Sequence, residues 1–481
     1  MARSVVLGVD SSTQSTKVLA LDLDTAEVVV EGRANHSGAD TQDPADWWNA
    51  LVAAIRQIDL TNVDVAAISV GGQQHGLVTM DANGELVRPA PLWNNTDAAP
   101  DAERLNAAAD FPSAVGSRLV ASFTIAKLAH LARTDPDDFG RTAAVGLPHD
   151  WLNFRLTGHL ATDRGEASGS GWWSPRENRV RRDLLALAVG EEAANRLHVP
   201  DVLGPADRAG MLRQDAAEAL GLPVGIPVGP GTGDNMAAAL GIGAQSGEMV
   251  ISLGTSGTAF AVSAHPTSDP TGEVAGFADA TGHFMPLACM LNCTRVVDTI
   301  AALVGLPRQE ALEIAARTDP GAQGLLLMPY FAGERTPNLP HARGSLVGLA
   351  AENLSPALLV RAALDGVAAG LAYCVAALAR LGIAGNEVTL VGGGSRHLAW
   401  QQAIADVTGL TVTVRGGSEH AARGAAMQAL AIARDEPIAR VIARFRPQIL
   451  ARVEPRPGWR DAFRLAERQQ IIDELTMQST S

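Results

Sequence analysis

Residues Gly229–Phe260, GPGTGDNMAAALGIGAQSGEMVISLGTSGTAF, decide how this chain is read. Gly231-Thr232-Gly233-Asp234-Asn235 is a glycine turn that hands one carboxylate to the start of a small-residue run, Met236 to Leu240. Asp or Asn at such a point caps a helix by accepting bonds from its first N–H groups. Met249 to Leu253 is a short apolar run of strand type, broken by Gly254-Thr255-Ser256-Gly257-Thr258 and resumed at Ala259 to Val262. The pattern predicts strand, tight turn, strand. Such a turn aims backbone N–H groups and hydroxyls at one point, which suits a phosphate.

The N-terminus repeats the design. Ser4 to Val9 reads as a strand, Asp10-Ser11-Ser12-Thr13-Gln14-Ser15-Thr16 as a hydroxyl-rich turn, and Lys17 to Leu21 as the returning strand. Two such hairpins, half a chain apart, are the mark of a duplicated domain. The first copy keeps an acid, Asp10, where its strand ends and faces a metal. The second has Gly254 near the matching place and holds phosphate alone.

Bulk composition bounds the rest. A chain of 481 residues is a soft prior for two or three domains. Hydrophobic residues make up 47% and charged residues 19%, enough for a large core and too apolar for a disordered chain. A net charge of −14 argues against nucleic acid and anionic membranes as partners. It leaves a nucleotide open, because phosphates are bound locally by N–H groups and a metal. Cys289, Cys293 and Cys374 form no paired framework, so a reduced, cytoplasmic protein is expected. The first strand runs directly into a polar turn, unlike a signal peptide, and no apolar run reaches the ~18 residues that span a bilayer.

Along the chain, strands are expected at 4–9, 17–22 and 27–32, then a helix capped by Asp43 with Pro44 in its first turn. Trp47, Trp48, Leu51, Ile55 and Ile58 share one face of that helix. A strand Val65 to Val70 ends in Gly71-Gly72-Gln73-Gln74-His75-Gly76. Helices follow at about 98–109, 122–133, 149–157 and 181–189. After the second hairpin come helices near 294–304 and 308–317 and a strand Leu325 to Met328. A long helix capped at Ser355 follows, then a strand Val388 to Val391 ending in Gly392-Gly393-Gly394. A strand Thr411 to Val414, a helix at 421–433 and a charged helix at 457–476 complete the chain. This is an α/β chain. Its expected divisions are 1–242, 243–440, and an extension, 441–481.

In that order, Asp10-Ser-Ser-Thr-Gln-Ser-Thr-Lys17, Gly233-Asp234-Asn235, Leu253-Gly-Thr-Ser-Gly257, Gly333-Glu-Arg-Thr-Pro337 and Val391-Gly-Gly-Gly-Ser395 resemble the motifs of the FGGY carbohydrate kinases. Gly72-Gln-Gln-His-Gly76, Leu147-Pro-His-Asp-Trp-Leu152 and Arg155-Leu-Thr-Gly158 look like the xylulokinase branch. The similarity spans nearly the whole chain. It implies two RNase-H-like domains of the actin/Hsp70/sugar-kinase type flanking a catalytic cleft, and Mg²⁺-dependent transfer of phosphate from ATP to a sugar hydroxyl. For that branch the sugar is D-xylulose. A homodimer is common in the family. Three positions depart from its usual pattern: Gln74 where Met is frequent, Asn95 where Asp is frequent, and Glu166 where Asp is common.

The resemblance gives each motif a role beside a plainer one. Asp234 is the general base, or only a helix cap. Asp10 holds Mg²⁺, or only initiates a turn. Thr13, Gln14 and Ser15 face phosphate, or are ordinary turn polarity. Gly254, Thr255, Ser256 and Gly257 bind phosphate. Gly392, Gly393 and Gly394 let adenosine lie against the backbone, or simply join strand to helix. Gln74, His75 and Asn235 bind the sugar, with a core histidine as the alternative for His75. Two rival readings of the chain are a kinase for ribulose, erythritol, gluconate or glycerol, and a non-catalytic actin/Hsp70-like nucleotide binder. Chaperones of that group need a separate substrate-binding module, for which residues 456–481 are too short, so a chaperone is not expected.

Overall fold

The structure, a computed structural model, describes residues 3–60 and 62–480. The chain forms two compact units. The first comprises Met1–Ala244, Gly276–Phe284 and Glu419–Arg446; the second comprises Gln245–Ala275, Met285–Ser418 and Pro447–Ser481. Neither unit is contiguous in sequence.

In the first unit a mixed sheet runs in the order Gly210–Met211, Pro227–Val228, Val63–Gly72, Arg3–Ser11, Ser15–Asp22, Val28–Asn35. The first hairpin is antiparallel, with Asp10 opposite Lys17, and Arg3–Ser11 pairs in parallel with Val63–Gly72. Both parallel strands are buried along most of their length, which is why their sequences read as near-continuous apolar runs. The helix Pro44–Arg56 packs on this sheet. Its N-cap Asp43 accepts from Ala45 N at 2.9 Å, and Trp47, Leu51 and Ile55 point into the core.

The helix His420–Arg434 packs against the first sheet and the helix Asp234–Gly241. The contact is backbone to backbone. A Cβ on Gly424 would lie 1.7 Å from Ala237 O, and one on Gly8 would lie 2.1 Å from Ala422 O. Glycine is the residue that allows so close an approach. This contact is why a segment late in the sequence belongs to the first unit.

The second unit repeats the recipe. From Phe284–Met290 its sheet continues through Gly257–Ala261, Met249–Leu253, Glu387–Val391, Thr411–Arg415 and Ile449–Val453. The helix Pro356–Arg380 fills its core, starting at Ser355, whose hydroxyl accepts from Leu358 N. Among the described residues this helix is long and apolar enough to cross a membrane by length and composition, and 67% of its most apolar window is buried. It carries Arg361 and Asp365 in mid-helix, paired at 2.7 Å. Sequence periodicity missed three strands here. Phe284–Met290 contains Pro286, which argues against a strand. Val274–Ala278, VAGFA, dilutes Val274 and Phe277 with one Gly and two Ala, which strands disfavour. Ile449–Val453 is an edge strand with Ile449 and Leu450 exposed. The terminal helix begins at Leu465 rather than 457, after a short turn Arg460–Phe463.

Candidate active site

Three strand ends meet in the first unit. Ser11 pairs with Gly72 at the carboxyl ends of the two parallel strands, and Gly233 pairs with the same Gly72 from the other side. Asp10, Gln73-Gln74-His75 and Asp234-Asn235 are therefore carried to one edge of the sheet. The carboxyl ends of parallel strands are where ligands bind in open α/β sheets.

Asp234 opens the helix Asp234–Gly241, but it is not the cap: that position is Gly233, and no side chain caps the helix. The alternative capping role fails because Asp234 is already inside the first turn. Its Oδ1 instead accepts from Asn235 N at 2.8 Å and Asn235 Nδ2 at 2.9 Å. Asn235 Nδ2 also donates to Gln74 Oε1 at 3.0 Å. Burial first, and the charge of Asp10 second, push the Asp234 carboxyl up to about 7. That leaves it able to accept a proton near neutrality.

Asp10 is 4% exposed. Burial raises its pKa, while a hydrogen bond from Ser12 Oγ at 2.7 Å and the Lys17 ammonium at 3.9 Å pull the other way. Lys17 also bonds Glu419, an ion pair with no signal in local sequence because its partners lie 402 residues apart. A buried carboxylate and a half-buried one that repel one another are relieved by a cation. Mg²⁺ is usually held by one or two carboxylates together with water and phosphates, not by an all-protein cage. Among the described residues no group of three or more His, Cys, Asp or Glu side chains forms such a cage. The donor set fits Mg²⁺.

His75 has a φ of +66°, a left-handed conformation that non-glycine residues rarely adopt. Its carbonyl accepts from Lys127 Nζ at 3.1 Å and Thr124 Oγ1 at 3.3 Å. Its Nδ1 lies 3.0 Å from Gly169 O; a carbonyl can only accept, so Nδ1 carries the proton. Phe123 and Phe277 stack near the ring, with centroids at 5.0 and 5.6 Å. Sequence reading found His75 but none of these supports, which come from distant segments.

In the first hairpin turn Thr13 Oγ1 accepts from Trp93 Nε1 at 3.0 Å, so Trp93 braces the turn. Gln14 is exposed, and Ser15 is buried where the returning strand begins. In the second unit the turn Gly254–Gly257 and the loop Gly392–Gly394 are brought together. Ser252 pairs with Val391 at the ends of parallel strands, and a Cβ on Gly392 would lie 2.7 Å from Leu253 O. Thr294 Oγ1 donates to Gly254 O at 2.8 Å, tying the turn to the following helix. The N–H of Gly254 is taken by Ser256 O at 3.1 Å, and Thr255 is exposed.

Known proteins are similar to both halves of the chain. The model of the FGGY family of carbohydrate kinases, N-terminal domain, matches residues 5–241, and that of the C-terminal domain matches residues 249–433. A xylulose kinase from Streptomyces rubiginosus is 46% identical over 92% of this chain and 90% of its own. One from Escherichia coli K12 is 34% identical over 89% of this chain and 90% of its own. The crystal structure of xylulose kinase from Bifidobacterium adolescentis superposes with a TM-score of 0.85 at 37% identity, covering 97% of this chain and all of that one. With both halves matched, the chain belongs to the FGGY family of carbohydrate kinases and is an ATP-dependent sugar kinase.

Proposed function

We propose that this kinase transfers the γ-phosphoryl group of ATP to D-xylulose, giving D-xylulose 5-phosphate. The observation that carries the reading is the meeting of Asp234-Asn235 with Gln74-His75 at adjoining strand ends. The names of its relatives point to the same sugar.

Asp234 takes the proton of the attacking hydroxyl as the new O–P bond forms and the bond to the β–γ bridging oxygen breaks. Its elevated pKa makes it a stronger base than an ordinary carboxylate. Asn235 holds the Asp234 carboxylate and, with Gln74 and His75, offers amide and imidazole groups to sugar hydroxyls. The set has no cation for a carboxylate: Lys127 is engaged with backbone carbonyls. It therefore suits an uncharged polyhydroxy ketone better than gluconate. Asp10 would hold Mg²⁺, which when bound neutralises charge on the phosphates. Thr13, Gln14 and Ser15 in one turn, and Gly254, Thr255, Ser256 and Gly257 in the other, serve as phosphate contacts. Gly392, Gly393 and Gly394 receive the adenosine.

The test is ADP release with Mg-ATP across pentuloses, hexuloses, polyols and sugar acids. D-Xylulose is expected to lead by kcat/KM. A tenfold advantage for another sugar, ~1.4 kcal/mol, removes xylulose and leaves the kinase.

A further inference from the structure

Glu166 is wholly buried, and neither of its carboxyl oxygens makes a hydrogen bond of good geometry among the described residues; the Gln74 amide is the donor that acts on it. Burying such a group poorly paired is expensive, so its place needs a reason. Gln74 Nε2 is a second poorly paired polar atom, and the two share one spot. A Cβ on Gly233 would lie 2.4 Å from Glu166 Oε1 and 2.8 Å from Gln74 Cγ. Only a bare glycine leaves room for both beneath the turn that carries Asp234.

The other end of Gln74 is already engaged. Its Oε1 accepts from Asn235 Nδ2 at 3.0 Å, and the same Nδ2 reaches Asp234 Oδ1 at 2.9 Å. With Oε1 turned to Asn235, the two N–H donors of the amide are turned away from it. Asp150, Asp163 and Asp234 surround Glu166 with negative charge, and Gln74 is the neighbour that favours its ionised form. Burial and those acids hold the Glu166 carboxyl well above the usual carboxylate range. In either protonation state the carboxyl offers an acceptor oxygen to the Gln74 amide.

We propose that Glu166 is a positioning residue for phosphoryl transfer, fixing the orientation of the Asp234 carboxylate through Gln74 and Asn235. This rests on Asp234 being the base. Glu166 is sealed from solvent and acts through the two amides, without contact to sugar or phosphate. It also makes two departures from the usual family pattern, Gln74 and Glu166, into one physical unit: a longer acid beside an amide.

The experiment is a double-mutant cycle of Glu166→Asp and Gln74→Met, run on the sugar that leads the panel, with melting temperatures to confirm folding. Shortening the acid by one methylene is expected to lower kcat by about tenfold and to change KM by less than about threefold. Glu166→Gln, equal in length and still offering a C=O, recovers most of that loss. With Met at position 74 the Asp substitution has little further effect, because the link is already cut. Equal losses in both backgrounds, an effect confined to KM, or an unaltered kcat in Glu166→Asp overturns the proposal. Should Glu166→Asp not fold, Glu166→Gln replaces it, and its smaller loss must vanish beside Gln74→Met. If Asp234→Asn retains turnover, the base reading fails separately. The cycle still reports whether Gln74 and Glu166 act as one.

Discussion

Asp10 and Asp234 flank a single strand. Ser11, next to Asp10, and Gly233, next to Asp234, both pair with Gly72, from opposite sides. The two carboxylates are thus brought into electrostatic reach by sheet register. Asp10 is eased by Ser12 and Lys17, whereas Asp234 is eased by Asn235. The proton is therefore retained on Asp234, although the titration belongs to the pair.

This arrangement sets a pH dependence of stability without metal. The folded pKa of Asp234, about 7, lies above the ordinary aspartate value of 3.8. Between those values the folded state binds more protons than the unfolded one, so stability falls as pH rises through that window. Asp234→Asn removes the penalty. In EDTA the variant is expected to match the parent near pH 4 and to exceed it above pH 7 by about 1–3 kcal/mol, discounted because the carboxylate is partly open. Melting curves against pH measure this, and a constant offset at every pH would disprove it.

The same substitution should be costly in turnover. Asparagine keeps the size of Asp234 but cannot take a proton. A fall in kcat of about 10²–10⁴-fold is expected, with KM changed far less. Stopped-time assays of ADP release decide it; a variant with most of its turnover would reduce Asp234 to an orienting group.

Gly424→Ala tests why the chain returns to the first unit. The added methyl would sit 1.7 Å from Ala237 O, on the backbone of the helix that Asp234 opens. Overpacking usually costs about 1–3 kcal/mol, and two helix backbones yield less readily than side chains, so about 3 kcal/mol or more is expected. Thermal unfolding reads the loss. An unshifted melting temperature would mean that the helices separate freely.

Much of this was legible in sequence because the informative residues are local. The hairpins at Asp10 and Gly254, the Asp43 and Ser355 caps and the glycines after Val391 each sit within a few residues of the element they define. What sequence could not show lies in pairs with no local signature. Glu419 joins Lys17 across most of the chain, and Phe277 meets His75 and Gly424 meets Ala237 from distant segments. Capping was the plainer alternative for Asp234, because Asp at a turn–helix junction often caps; one residue of register puts Gly233 there instead.

Lys127→Met tests whether the backbone at His75 matters for the sugar. Lys127 is buried without a carboxylate partner among the described residues, and burial lowers its pKa well below that of an ordinary lysine. Its Nζ donates to the carbonyls of His75, Ala121 and Ser122. Methionine fills similar volume and removes the desolvated amine, which offsets part of the loss. The three carbonyls nevertheless lose their donor, at a net cost of about 1–3 kcal/mol. The strained φ at His75 is then held by Thr124, the Gly169 contact and the two Phe rings alone. If that strain positions the imidazole for sugar, KM for the sugar should rise about tenfold, ~1.4 kcal/mol, while KM for ATP stays within about twofold. Lower stability with both KM values unchanged would leave Lys127 a core residue and separate the strain at His75 from sugar binding.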